Sequence, residues 1–263
     1  MNIAGYAASI LIGISLGLIG GGGSILTVPV LVYLFRIDAV FATVYSLFVV
    51  GTTSAVGSLS YFRKGLVNIR TAIVFGIPSI ATVFATRTYI VPAIPQKILT
   101  IEGFTVTKGA LLMLLFAVLM VFASYSMIKK GKETLSTESQ KPFNYPLIFI
   151  QGTFTGLITG LIGAGGGFLI IPALVNLLKM PMKTAVGTSL VIITINSLTG
   201  FLFSLSHTPV RWTFLMSVTA IAISGILIGS YISTKIDGRK LKPAFGWFVL
   251  VMGVYIILKE TII

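Results

Sequence analysis

Two glycine runs are the residues of this 263-residue chain whose types and spacing could do chemistry. The first, Gly20-Gly21-Gly22-Gly23-Ser24, precedes Pro29, and the second, Gly163-Ala164-Gly165-Gly166-Gly167, precedes Pro172. Both sit in strongly apolar sequence, where glycine weakens a helix and invites a break. A helix that restarts after such a break presents its first N–H groups without partners, together with the positive end of its dipole. With no side chains in the way, an anion can approach that backbone closely. The chemistry these runs offer is anion binding by N–H groups. Gly17 and Gly160 are read differently, as small residues that let helices pack closely. Pro29 and Pro172 should kink the short helices they lie in.

A second polar cluster follows each run: Ser46, Thr52, Thr53 and Ser54 in the first half, and Thr188, Ser189, Thr194, Asn196, Ser197 and Thr199 in the second. Hydroxyls and amides donate to an anion without adding charge. Taken singly, a serine or threonine is expected to bond back to its own helix. Ser46/Ser189 and Ser54/Ser197, which match between the halves, stay open between binding and packing, as does Gln151. The candidate substrate-binding set is Gly20, Gly21, Gly22, Gly23, Ser24, Ser46, Thr53, Ser54, Gly163, Gly165, Gly166, Gly167, Thr188, Ser189, Asn196 and Ser197.

The charged residues add little inside the apolar runs. The acidic residues Asp38, Glu102, Glu133, Glu138, Asp237 and Glu260 fall in loops or at ends. A proton relay through a bilayer usually needs a buried carboxylate or histidine. The single histidine, His207, is placed at the end of a span, and Arg87 is expected to snorkel to the headgroups. The absence of cysteine excludes disulfides and thiolate chemistry. An intramembrane protease would need a Ser–His pair, two buried aspartates or a His-Glu-x-x-His run, and none is read here. No catalytic residue, metal or cofactor is expected, and the chain is not expected to be an enzyme.

The elements that must position these groups follow from composition. The chain is 56% hydrophobic and 10% charged, with mean hydropathy +1.03, whereas soluble domains carry about 25% charged residues. Spanning a bilayer takes about 20 apolar residues as helix. Ala39–Phe62, Gly109–Ile128, Thr184–Ser206 and Trp212–Thr234 have that size, and Thr71–Thr86 and Pro243–Leu258 are shorter uncharged runs. The first apolar stretch lacks a basic leader region, so no cleavable signal peptide is expected. The net charge of +13 is scattered over short loops, which suits membrane topology rather than nucleic acid.

The two halves align without gaps at an offset of 143 residues from Gly17 to Leu59, matching Gly20/Gly163, Gly23/Gly166, Pro29/Pro172, Ser46/Ser189, Ser54/Ser197 and Gly57/Gly200. The chain is divided as an N-terminal repeat over 1–128, a cytoplasmic linker over 129–145 and a C-terminal repeat over 146–263. If each glycine run is a re-entrant hairpin, the basic residues split 13 against 6 across the membrane, a positive-inside bias; if each run crosses once, they split 9 against 10. Ser24–Phe35 and Gly167–Leu178 are also too short to span, about 18 Å as helix. The hairpin reading makes this an all-α polytopic membrane protein of two inverted repeats, each a glycine hairpin plus three transmembrane helices. Both termini then lie outside and the central loop lies in the cytoplasm. Parallel repeats with an accidental charge bias are the alternative. Inverted repeats with broken helices characterise secondary transporters.

Gly17-Leu18-Ile19-Gly20-Gly21-Gly22-Gly23-Ser24 with Val28-Pro29, and Gly160-Leu161-Ile162-Gly163-Ala164-Gly165-Gly166-Gly167-Phe168 with Ile171-Pro172, then Ala185-Val186-Gly187-Thr188-Ser189-Leu190, resemble the TauE/SafE family of membrane permeases. The likeness covers nearly the whole chain. It implies export of sulfite, organosulfonates or other sulfur-containing anions, and it points to the glycine hairpins and Thr188-Ser189 as site positions. The first half departs from the pattern, with Thr43-Val44-Tyr45-Ser46 in place of Val-Gly-Thr-Ser. The expected partners are a small anionic substrate and membrane lipids, with no nucleic acid. A passive anion channel, or an importer of a different small anion, is the competing reading. Substrate, direction, coupling ion and oligomeric state are not fixed by the sequence.

Overall fold

Within a bilayer only a helix satisfies its own backbone in one segment, and the apolar runs fold accordingly. A computed structural model describes residues 3–101, 104–128, 145–176, 178, 180–205, 209–233 and 238–262. The helices in order are α1 (Ile3–Ile19), α2 (Gly23–Leu34), α3 (Ala39–Arg63), α4 (Ile69–Ala93), α5 (Lys108–Ile128), α6 (Tyr145–Ile162), α7 (Gly167–Asn176), α8 (Met182–Leu205), α9 (Trp212–Ser233) and α10 (Gly238–Ile262). Between α4 and α5 lies an antiparallel hairpin of β1 (Lys97–Ile101) and β2 (Phe104–Thr107), pairing Leu99 with Val106 and Thr100 with Thr105. The all-α expectation omitted this hairpin. Its signal is the β-branched series Ile98, Thr100, Ile101, Thr105, Val106 and Thr107, which reads as a mere link between two longer apolar runs.

Among the described residues, α3, α4, α5, α6, α8 and α9 are long and apolar enough to cross a membrane. The sequence runs anticipate all of these except α6, the arm that leads into the second glycine break; Pro243–Leu258 becomes the body of α10. The linker residues 129–144 and Glu102, Glu133, Glu138, His207 and Asp237 lie outside the described residues. Large apolar side chains such as Ile77, Phe122, Leu202 and Trp247 stand exposed on the outer surface, where lipid would cover them.

The packing pairs each element of one half with an element of the other. α1 lies on α9, α6 on α4, α5 on α10, and α3 on α8. Glycine makes the first two pairs possible. A Cβ at Gly13 would stand 2.0 Å from the Ala222 carbonyl oxygen, and one at Gly156 would stand 2.3 Å from that of Ser79. Those contacts lie 143 residues apart on both sides. Gly17 and Gly160 have the expected packing role, against Ser230 and Thr86 respectively. In the α3–α8 pair, Leu47 abuts Gly200, Gly51 abuts Leu198, and Gly57 abuts Leu190. The numbers rise on α3 as they fall on α8, so these two equivalent helices run antiparallel. The bonds Ile37 N–H to Leu31 O (3.0 Å) and Met180 N–H to Leu174 O (3.1 Å) close α2 and α7 at equivalent positions.

Candidate functional site: the crossing of the glycine breaks

Each break is set by backbone that side chains resist. Gly20 and Gly163 adopt φ of 75° and 76°, and Gly165 and Gly166 adopt 67° and 69°, the left-handed region that glycine enters at little cost. α1 therefore stops at Ile19, a tight turn over Gly21–Leu26 follows, and α2 begins within it. In the second half α6 stops at Ile162 and α7 starts at Gly167. The two breaks touch. A Cβ built at Gly21 would lie 2.2 Å from the Gly167 Cα, and one at Gly167 would lie 2.3 Å from the Gly21 Cα. The N-terminal ends of two short helices thus meet backbone to backbone, where their free N–H groups and dipoles add.

α3 and α8 wall this crossing with one face each. On α3 the second break rests on Thr43, whose carbonyl oxygen is 2.2 Å from a Cβ at Gly163, and on Val50, 2.7 Å from one at Gly165. Ser46 lies between them at helical spacing, on the same face. On α8, Val186 lies against Gly20, Ile193 against Gly167, and the Ser197 hydroxyl 3.0 Å from a Cβ at Gly165. The hydroxyls of Ser46, Ser54 and Ser197 are fully buried and, among the described residues, without a hydrogen-bond partner. A buried unmade hydrogen bond costs about 1–3 kcal/mol, so each calls for a reason. Thr159, absent from the sequence-derived set, adds another such hydroxyl, 2.3 Å from a Cβ at Gly166. Its signal was the stripe Gly152, Thr155, Gly156, Thr159 and Gly160 on one face of α6.

Other candidates have local partners. The Ser24 hydroxyl donates to Gly21 O at 2.7 Å, and that of Ser189 to Val186 O at 2.8 Å. Thr53 bonds back to Val49 O, as Thr52, Thr194 and Thr199 do within their own helices. Thr188 accepts from the Asn68 N–H at 2.9 Å, and Asn68 in turn caps α4 through Thr71 N–H. With Gly187 against Leu66, Thr188 docks the α3–α4 connection. Asn196 donates through Nδ2 to the Ser79 hydroxyl at 2.7 Å, while its Oδ1 has no partner among the described residues. Gly23 packs on Ser15 and Leu16 of α1. Gly22 lies within the turn Gly21–Leu26.

Arg87 departs from its expected place. It does not snorkel; it is 3% exposed. The Thr86–Ile90 segment is wound as a π turn, with Thr86 and Arg87 turned inward and Tyr89 and Ile90 outward. Nη1 of Arg87 donates to the Thr43 hydroxyl at 3.2 Å, beside the second break. One serine motif also escaped the sequence reading: Gly13-Ile14-Ser15-Leu16-Gly17 spells Gly-x-Ser-x-Gly. It is no strand–turn–helix elbow. It lies inside α1, its serine donates to Ile12 O at 2.8 Å, and both glycines pack on α9.

A cavity of about 520 Å³ is lined by Tyr89, Ile94, Pro95, Ile98 and Leu111 near the β-hairpin, and one of about 300 Å³ lies between α1 and α10, reaching Ser15, Ile19 and Leu26 beside the first break. Both are apolar, which suits lipid or packing rather than an ion. The hydroxyls around the glycines are buried from the surface.

Comparison with known proteins agrees with this architecture. The profile of the family described as "Sulfite exporter TauE/SafE" matches residues 6–256. A "Probable membrane transporter protein" of Xylella fastidiosa (strain Temecula1) is 30% identical over 94% of this chain and 91% of its own length. A "Probable membrane transporter protein YunE" of Bacillus subtilis is 27% identical over 92% and 89%. A probable membrane transporter protein of Methanocaldococcus jannaschii is 27% identical over 94% and 92%. No solved structure matches. With its apolar spanning helices and two glycine breaks, the chain is a multi-pass membrane transporter protein, and it belongs to the TauE/SafE family.

Proposed function

We propose that this protein is a secondary carrier for a small oxyanion, with sulfite or an organosulfonate as the favoured class. The observation that carries this reading is the contact of Gly21 with Gly167 between two helix N-termini, with the Thr159 and Ser197 hydroxyls at the second break and those of Ser46 and Ser54 on α3 all buried without a partner among the described residues. N–H groups and hydroxyls would hold an anion's oxygens without a full counter-charge, so the anion could leave again. The family's description as a sulfite exporter supports the substrate class.

Alternating access between two inverted repeats is the proposed mechanism. The antiparallel crossing of α3 and α8, and the exchange pattern in which α1 packs on α9 while α6 packs on α4, support it. In an occluded state α3 and α8 would close over the glycines; rocking one repeat against the other would open either side. The proposed direction is export. An inside-negative potential drives an anion outward by about 2.3 kcal/mol per charge per 100 mV, without a coupling ion.

The test is a substrate panel in proteoliposomes. Saturable, counterflow-competent flux of sulfite or a sulfonate, in preference to chloride, is expected. Unitary conductance would replace the carrier with a channel, and equal flux of chloride would remove the sulfur oxyanion as substrate.

A further inference from the structure

We propose that Arg87 is the fixed cation of a second oxyanion subsite, next to the crossing but distinct from it. This rests on the reading of the protein as an anion carrier and assigns where the anion docks on one side of the crossing. The argument starts from cost. A buried, uncompensated charge is strongly destabilising, and Arg87 lies in a membrane-spanning helix with 3% exposure. The single side-chain bond recorded for it is that of Nη1 to the neutral Thr43 hydroxyl, and no carboxylate among the described residues pairs with it. Lys108, 5% exposed, donates its ammonium to Val91 O one turn along α4, and its charge repels that of Arg87. Two cations thus lie within electrostatic reach of each other, with no counter-ion among the described residues.

The free atoms identify the ligand. Among the described residues, Nε and Nη2 of Arg87 have no partner. These two N–H groups form one edge of the planar guanidinium, the fork that accepts two oxygens of a single oxyanion side by side. The Thr86 hydroxyl, also buried and without a partner among the described residues, sits on the preceding residue. A sulfite, sulfonate or carboxylate group would give each N–H of the fork its own oxygen, whereas chloride would offer the two a single shared acceptor and a weaker match. The location fits passage to the crossing, because Thr43 touches both Arg87 and Gly163.

The subsite exists in one half only. At the 143-residue offset Arg87 corresponds to Ser230, Thr86 to Gly229 and Thr43 to Val186. The other mouth of the crossing therefore lacks the cation, and the two sides differ in affinity for the anion. A single arginine in an otherwise duplicated frame would bias the carrier toward capturing or releasing oxyanions on the face that carries the β-hairpin.

The test uses the whole protein in phosphatidylcholine nanodiscs, measuring the thermal shift with sulfite, methanesulfonate and chloride, alongside flux in liposomes. The wild type should be stabilised by the oxyanions more than by chloride. Arg87→Lys keeps the charge and loses the fork, and should weaken oxyanion binding at least about tenfold, the range of a charged hydrogen bond. Arg87→Met should lose the oxyanion shift while unfolding at no lower temperature than the ligand-free wild type. Unchanged half-saturation in a folded Arg87→Lys protein overturns the subsite while leaving the carrier reading intact. Stabilisation only by phosphatidylglycerol, with no soluble oxyanion acting, overturns it in favour of a lipid headgroup. No anion response or flux in the wild type overturns both readings.

Discussion

At the residue scale, the decisive groups are those left without partners. Ser54 and Ser197 occupy matched positions on α3 and α8, both fully buried and both unbonded among the described residues. The hydroxyls of Ser189 and Thr194, by contrast, donate to carbonyls of their own helix. Replacing an unsatisfied buried hydroxyl by hydrogen is neutral or stabilising for the fold. Ser54→Ala and Ser197→Ala should therefore leave the melting temperature unchanged or higher. Each should also raise the half-saturating oxyanion concentration several-fold in liposome flux, the share of about one hydrogen bond. Wild-type flux kinetics in both variants would return these serines to packing. The sequence marked both positions through the repeat, but not which hydroxyls of the cluster would lack a partner. Thr188, prominent in the motif, is spent on Asn68, a residue 120 positions away that no local pattern could have named. Arg87 shows the same limit. Its position near the end of an apolar run reads as snorkelling, and only the π turn at Thr86–Ile90 turns it inward.

At the scale of elements, the proposed carrier would use the crossing of α3 and α8 as its gate. Leu47 meets Gly200, and Gly57 meets Leu190, across two helices that bury both glycine breaks. Opening the site requires these helices to part or slide. The native chain contains no cysteine, so a Gly51→Cys, Leu198→Cys pair can be cross-linked against a silent background. Cross-linking should stop oxyanion flux, and reduction should restore it. Full flux through the cross-linked protein would place the moving boundary elsewhere, with α1–α9 and α6–α4 as the alternatives. In those pairs Gly13 and Gly156 let backbones approach so closely that a Cβ would overlap a carbonyl.

At the scale of the whole molecule, the charge distribution and the exchanged packing address the same question. The basic residues divide 13 against 6 only if each glycine break turns back. The touching of Gly21 and Gly167 and the antiparallel α3 and α8 are what inverted halves would produce. Single introduced cysteines give the check: labels near residue 3 and residue 262 should react with a membrane-impermeant reagent from outside, and labels between 129 and 141 only after permeabilisation. Labelling of either terminus from the cytoplasmic side alone would rule out the inverted arrangement.

Apolar run length, composition and duplication by themselves determined the membrane class, five of the six spanning helices, the two breaks and their equivalence. These are local properties: apolar length, glycine's left-handed freedom, and a repeat at fixed offset. The sequence also marked Gly17 and Gly160 as packing glycines, since small residues in apolar helices have few other uses. The tertiary structure alone decided which polar groups face one another. It set Gly21 on Gly167, turned Thr159 toward Gly166, drew Thr188 away to Asn68 and buried Arg87 against Thr43. A hydroxyl's partner lies across a helix interface, and the rotation of each helix about its axis follows from how glycines and side chains on distant segments interlock. No spacing within one segment encodes that rotation, so the polar surface around the two breaks is settled only when the two halves close on each other.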